Sequence, residues 1–317
     1  MAATSKTHLP SEEEVFGYAR SLSNWGRWGV DDERGTVNLI TPETTVRAAA
    51  LVADGSTVSC AWPITTDAAP DVSRTPIHLM IGTGEGYSLD SDPGEEQGSG
   101  DFIGLAYHGY TVTHVDAPAH VFMSGRMYNG RPSSKVNSAQ GATAGSIELI
   151  ADGVVARCVL LDIPRLRSVD WMEPGEAIFT DELEQAEAAQ NVRVDEGDVL
   201  LVRTGGLRYR NEVEPRPVSD GKPGLHAECL PWLHERGIAM LGSDAIQDVQ
   251  PSGYPRFAQP IHRIGIVHMG LWLIDNCNLE GVSSACAKRS RWEFLICIAP
   301  LRVRYGTGSP VNPIAVF

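Results

Sequence analysis

Apolar residues recur along this chain with two different periods, and the alternation between the two predicts its elements. Val15, Tyr18, Ala19 and Leu22 follow Glu12, Glu13 and Glu14 at helical spacing, and Ser11 with Glu14 makes a capping box, so an N-terminal helix is predicted. A second helix is expected from Thr41 as cap and Pro42 as first helical residue, closing at Gly55. Residues 57–64, 76–82 and 107–115 read as strands, the last because it carries Tyr, Val and Thr in quantity. Beyond residue 156 the pattern alternates: strands at 157–163, 198–204 and 238–242, with helices at 181–191, capped by Thr180, and at 225–236, ended by Gly237. The apolar runs 266–274 and 292–303 also read as strands. Strands interleaved with helices predict an α/β protein built on a mixed β-sheet. Residues 83–101, rich in Gly, Ser, Asp and Glu, read as a long exposed loop, either a lid or a tether, and 124–145 as a second irregular segment. No repeat and no clear linker divides the chain, so residues 1–317 read as a single domain.

One predicted strand carries chemistry. Side chains on a strand repeat every two residues, which puts His108, Tyr110, Val112, His114 and Asp116 on one face. His114 and Asp116 then lie one pleat apart, close enough to hold a single ion. Pro118 cannot donate to a sheet ladder, so the strand should stop there, and the turn it forces folds His120 back over the same site. Neutral imidazole with carboxylate is a ligand set for zinc, manganese or iron(II), and three protein ligands leave a position for a reactive water. One H-x-D by itself reads more readily as a structural hydrogen-bonded pair. Four ligand-type residues between positions 108 and 120 favour a metal instead.

Composition narrows the classes of function. The chain has 317 residues, 42% hydrophobic and 21% charged, which fits a soluble globular protein, and no apolar run approaches the ~20 residues of a membrane helix. Met1 to Pro10 contains no hydrophobic stretch, so no secretory signal is expected. A net charge of −14 argues against nucleic acid as a partner, and the acid at 12–14 and 181–187 reads as solvated helix faces. Six cysteines show neither C-x-x-C nor paired spacing; a reducing cytoplasm is expected.

Other chemistries find little support. There is no G-x-S-x-G elbow and no Walker motif, and the glycine strings at 82–86 and 98–100 carry acid where a phosphate would sit. Ser243 reads as a turn residue ending a strand. In the second half His262 and Asp275 are further site candidates, and Asp244 holds a comparable strand-end position, although each alone reads more readily as a cap or turn. His226, His234 and His268 read as core or surface histidines, and Trp25 and Trp28 as packing residues around a glycine-rich turn.

At this point a resemblance enters. His108-Gly109, followed by Thr113-His114-Val115-Asp116-Ala117-Pro118-Ala119-His120, resembles the H-x-G-T-H-x-D-x-P-x-H signature of the metal-dependent cyclase family, which includes bacterial kynurenine formamidases and isatin hydrolases. Val159 to Ile163, Gly197 to Gly205 and the tail from Gly306 to Pro313 extend it over most of the chain from about residue 55. Residues 1–55 look like the N-terminal helical extension of longer members. The resemblance implies a swivelling β/β/α fold, His114 and Asp116 as metal ligands and His120 as general acid/base. It also implies His262 as ligand to a second zinc, Asp275 where the family places a glutamate, and a homodimer or homotetramer. The signature's first histidine belongs four residues before His114, where Tyr110 stands; His108 takes the role only if a local bulge in the strand absorbs two extra residues.

The expected activity is therefore hydrolysis of an amide, cyclic amide or lactone by a zinc- or manganese-dependent enzyme acting on a small molecule. One ion is expected, and Asp116 is placed to bridge to a second. The ion would polarise the carbonyl and acidify a water, with His120 moving the proton. Two alternatives stand beside it. One is an iron(II) oxygenase using His114, Asp116 and His262 as a facial triad, for which residues 269–273 offer no basic partner for a cosubstrate and His120 has no role. The other is a non-catalytic metal- or small-molecule-binding relative.

Overall fold

The computed structural model describes residues 9–317. Residues 1–8, most of the stretch weighed as a secretory signal, lie outside the described residues. Eleven strands matter to the site, in chain order: β1 (Thr57–Ser59), β2 (Ile77–Gly82), β3 (Gly100–Gly104), β4 (His114–Asp116), β5 (Val154–Asp162), β6 (Val199–Arg203), β7 (Met240–Ser243), β8 (Trp272–Asp275), β9 (Glu293–Ile298), β10 (Gly308–Pro310) and β11 (Ile314–Val316). Nine of them form one curled mixed sheet in the order β1-β11-β9-β5-β6-β7-β8-β4-β10. The neighbours β5, β6, β7 and β8 run parallel, and β4 is antiparallel to both β8 and β10.

The parallel centre explains why those strands read as continuous apolar runs rather than alternating ones. Both faces are covered, so every residue of β6 is buried. Leu200, Val202, Leu241 and Leu273 belong to one hydrophobic layer, while Leu160, Leu201, Met240 and Ile274 belong to the other. Among the described residues seven α-helices accompany the sheet: α1 (Glu12–Ser21), α2 (Pro42–Ala49), α3 (Ile163–Arg167), α4 (Thr180–Gln190), α5 (Gly206–Glu212), α6 (Leu230–Arg236) and α7 (Glu280–Arg289). The predicted capping box of α1 is present, and Thr41 caps α2 with Pro42 in its first turn. The amino-terminal segment is anchored to the sheet. Trp272 is fully buried and donates its indole N–H to the Arg34 carbonyl at 2.7 Å, and the Thr36 hydroxyl donates to Ala239 at 2.7 Å.

Several elements differ from the sequence expectation. The run 266–274 is not one strand: a π-helix covers Ile261–Met269, Gly270 ends it with a φ of 68°, and β8 begins at Trp272. A short apolar run looks alike as buried helix and buried strand, and here the glycine divides it. Helix α4 starts at Thr180 itself, with Phe179 in the cap position, because the Thr180 amide is held by Glu228 at 2.9 Å. The acidic face of α4 is only partly solvated: Glu187 is buried against Arg236, and Glu182 pairs with Arg167. Residues 83–99 connect β2 to β3, which pair with each other in a separate two-stranded hairpin.

Candidate metal centre

The chemistry-bearing strand is shorter than the sequence implied. Only His114–Asp116 is extended, and residues 107–113 form an irregular loop. The loop is shaped from outside. The Asn276 side-chain amide donates to the carbonyls of Gly109 at 2.8 Å and Val112 at 3.1 Å, and Gly109 itself has a φ of 150°. Strand parity therefore does not position His108; a tertiary contact does. His108 nonetheless reaches the site, while Tyr110 lines a different cavity.

All six residues singled out in the sequence converge around Asp116. His108 Nδ1 lies 2.8 Å from Asp116 Oδ1 and His114 Nε2 lies 3.4 Å from the same oxygen. On the other oxygen, His120 Nε2 approaches to 3.8 Å and His262 Nε2 to 3.7 Å, and His262 Nε2 is also 3.3 Å from Asp275 Oδ2. Ligand atoms of His114, Asp116 and Asp275 lie within 4.8 Å of one another, as do those of His108, Asp116 and His120. The antiparallel register sets His114 directly across from Asp275. The Pro118 turn closes as expected, with the His120 amide donating to Ala117 at 2.9 Å. His120 then stacks on His108, ring centroids 3.7 Å apart and planes 5° from parallel. These two rings keep 28% and 26% of their surface exposed, against 5% or less for the other four side chains, so solvent reaches the cluster from their side.

Hydrogen bonds on the outside of the cluster aim its ligand atoms inward. His114 Nδ1 donates to the Val112 carbonyl at 2.7 Å, which leaves Nε2 bare toward Asp116. His108 Nε2 meets the Thr307 hydroxyl at 2.9 Å, turning Nδ1 inward. His262 Nδ1 is 2.6 Å from Asp248 Oδ2, and Asp248 Oδ1 accepts the Ile261 amide, so one buried carboxylate holds both the imidazole and the start of the π-helix. The Gln247 side chain donates to Asp275 Oδ1 at 2.8 Å, leaving Oδ2 to the cluster. Gly308 is needed because a Cβ there would meet the Val115 carbonyl and lie 2.8 Å from His108 Cε1.

The electrostatics follow from burial and crowding. Burial opposes ionisation of Asp116, but the surrounding imidazoles of His120, His114 and His108 outweigh it and hold the carboxyl well below its usual range. Burial also works against a charged His262, yet the carboxylates of Asp275 and Asp248 keep its imidazole well above the ordinary range. His120 goes the other way: burial first, aided by His108, His262 and His114 against Asp116, lowers it to about 4.

A divalent cation fits this donor set. Both oxygens of Asp116 and Nδ1 of His108 are buried without any hydrogen-bond partner, although they lie in contact with one another. A buried carboxylate with neither oxygen hydrogen-bonded is costly unless something positive meets it. Asp244 takes no part in the cluster: it accepts the amides of Thr204 and Gly205 and the Thr204 hydroxyl, each at 2.7 Å. The supporting residues Gln247 and Asp248 carried no local sequence signal, and Thr307 and Gly308 entered only through the family-like tail, because each acts on a residue from another part of the chain.

Known proteins resemble this chain in sequence and fold. The kynurenine formamidase of Bacillus cereus is 25% identical over 257 residues, covering 81% of this chain and 95% of that protein. A crystal structure described as a novel cyclase superposes with a TM-score of 0.84 at 32% identity, covering 94% of this chain and 99% of the other. Isatin hydrolase A from Labrenzia aggregata, bound to benzyl benzoate, shares the fold at a TM-score of 0.55 and 21% identity, over 84% of this chain and 94% of that one. The family model described as putative cyclase matches residues 56–247, more than half of the chain and including His108, His114, Asp116 and His120, and the chain belongs to that family.

Proposed function

We propose that this protein hydrolyses an amide, a cyclic amide or a lactone of a small molecule, with a divalent cation held by His114, Asp116 and Asp275. Kinship with kynurenine formamidases supplies the enzyme class, metal-dependent amide hydrolysis. The observation that carries the metal is Asp116, fully buried with neither oxygen hydrogen-bonded and ringed by four imidazoles. His108 completes that donor set from one side, and His262 stands between Asp116 and Asp275, where a second ion would find ligands. Zinc and manganese both suit these donors. Bound there, either ion would polarise the substrate carbonyl and acidify a water.

The chain's own residues supply the rest. The His120 imidazole is neutral at physiological pH, makes no hydrogen bond to a described residue and is partly exposed. Its Nε2 is placed to take a proton and return it to the departing nitrogen or oxygen. Stacking against His108 fixes the plane of its ring. Asp248 and Gln247 keep His262 and Asp275 aimed at the cluster. His114 and His262 each approach Asp116, at 3.4 and 3.7 Å, but among the described residues the ligand atoms that gather within 4.8 Å are those of His114, Asp116 and Asp275 and of His108, Asp116 and His120, not the three an iron(II) facial triad would use.

Two further expectations belong to this reading. The hairpin of β2 and β3 exposes Ile77, Leu79, Met80, Ile81, Phe102 and Ile103 and pairs with no other strand, which supports a homo-oligomer in which a second copy covers it. The six free cysteines, five of them buried, fit a cytoplasmic protein; no described helix is long and apolar enough to cross a membrane.

Elemental analysis of the purified protein, with turnover measured on N-formyl anilines, cyclic imides and lactones before and after chelation, tests the proposal. Stoichiometric zinc or manganese, with activity lost on chelation and restored by the ion, is expected. Full turnover in the chelated protein would defeat it.

A further inference from the structure

The hairpin of β2 and β3 and the rim of the metal cluster carry opposite charge. Between Ile77 and Gly104 stand Glu85, Asp90, Asp92, Glu95, Glu96 and Asp101, with no lysine or arginine. All of these acids are exposed, and only Asp101 is paired, with His78 Nε2 at 2.6 Å. The hairpin is also apolar on both faces. Its register sets Leu79 opposite Phe102 on one face and His78 opposite Ile103 on the other.

The rim reverses the sign in a chain whose net charge is −14. Residues 121–145 contain Arg126, Arg131 and Lys135, residues 299–317 contain Arg302 and Arg304, and neither stretch has an acidic residue. Backbone hydrogen bonds join the two stretches into one surface. The Thr143 amide donates to the Lys135 carbonyl and the Ala142 amide to the Tyr305 carbonyl, each at 2.8 Å. That surface borders the open side of the cluster, because the Ala119 amide donates to Gly145 at 3.0 Å and the Ala117 amide to Thr307 at 3.1 Å. Arg131 is spent on Glu33, and the nearby Glu148 accepts the Tyr305 amide. Arg126, Lys135, Arg302 and Arg304 are exposed, and none is paired with a carboxylate of the described residues. Leu301 and Val303 are exposed beside them.

We propose that the hairpin of one copy docks on the rim of a second copy, its acidic residues among Arg126, Lys135, Arg302 and Arg304 and its apolar side chains against Leu301 and Val303. This rests on the homo-oligomer reading and names the surface that covers the hairpin. Apolar contact supplies the gain, and opposite charge decides which surface is chosen. Within one chain the two sets of charges leave each other unmet, so the match is made between copies. Under a two-fold axis both hairpins are exchanged at once. The hairpin ends at Gly104, four residues before His108, and the rim borders His108 and His120. Both halves of the contact therefore lie beside the opening of the cluster, and each copy's hairpin walls the opening of the other.

Sedimentation equilibrium of the full-length protein tests this with Arg302→Glu/Arg304→Glu and with Glu95→Lys/Glu96→Lys. Each double variant alone sets like charges against each other, and its dissociation constant should rise about tenfold or more. An equimolar mixture of the two meets opposite charges in both contacts and should associate nearly as tightly as the unaltered protein. Association of the unaltered protein should also weaken as salt rises from about 0.05 M to about 0.5 M. Unchanged association in either variant, or a mixture as weak as its components, would overturn the proposal; the latter would assign the cations to a different acidic partner. A monomeric unaltered protein overturns the homo-oligomer reading with it, whereas an oligomer indifferent to both reversals overturns this docking alone. Metal content per chain separates a lost contact from a lost fold. If either double variant fails to fold, the salt dependence of the unaltered protein decides, and association that salt leaves unchanged would overturn the proposal.

Discussion

Strand β4 and the hairpin of β2 and β3 are near neighbours in sequence and place opposite residue types in opposite surroundings. In β4, His114 and Asp116 are each 1% exposed, and the strand is flanked on both sides. In the hairpin, Leu79 is 54% and Ile81 73% exposed, and only the two strands pair. The first buries ionisable groups that water would solvate; the second leaves in water side chains that would each gain about 1.5–3 kcal/mol from burial. Both inversions cost free energy in the isolated chain. Each makes sense only with something added, a cation for the first and an apolar surface for the second.

The most severe way to break the first is Asp116→Ala. It should abolish metal content and lower turnover by roughly a thousandfold or more, while circular dichroism still reports the native fold; retained metal would refute the cluster as a binding site. Asp248→Asn is subtler. It leaves the ligand set whole but loosens His262, and metal affinity by competitive chelation should fall about 10- to 100-fold. An unchanged affinity would mean that Asp248 serves only the start of the π-helix.

The hairpin answers to Ile81→Asp. Sedimentation should show weaker self-association, by about tenfold or more in dissociation constant, with metal per chain unaltered. A monomeric wild-type protein would remove the second half of the comparison.

The smallest effect lies outside both regions. Burial holds His226, His234 and His268 below the ordinary imidazole range. For such a group the unfolded chain binds the extra proton as pH drops below about 6.5. Each of the three therefore subtracts stability as pH falls from 7 toward 5, opposite in sign to the raised His262, and His268→Gln should gain slightly on the unaltered protein in urea midpoint over that range. A His268→Gln variant that loses ground to the unaltered protein on acidification would contradict the sign.

Legibility from sequence differed by residue. His114, Asp116 and His120 were readable because three local facts place them: a short strand, a two-residue spacing and a proline turn. His108 was correctly gathered with them but for the wrong reason, since strand parity gave way to a loop pinned by Asn276. His262 and Asp275 were visible only as candidates, each lying at the edge of an apolar run that also hid a helix. Asp244, in an equivalent strand-end position, serves a turn instead. Asp248 attracted no notice. What gives each its part is the presence or absence of a partner, which no local pattern displays.

By itself the amino-acid order determined the α/β alternation, the capped starts of α1 and α2, and the donor-rich stretch from His108 to His120. These depend on φ/ψ preference, side-chain period and neighbours a few residues away. Only the tertiary structure decided that Asp116 would lie bare of hydrogen bonds among four imidazoles and that the hairpin would stand apart from the sheet. Desolvation and pairing depend on what packs against a group, and here those groups come from segments more than a hundred residues apart in the chain.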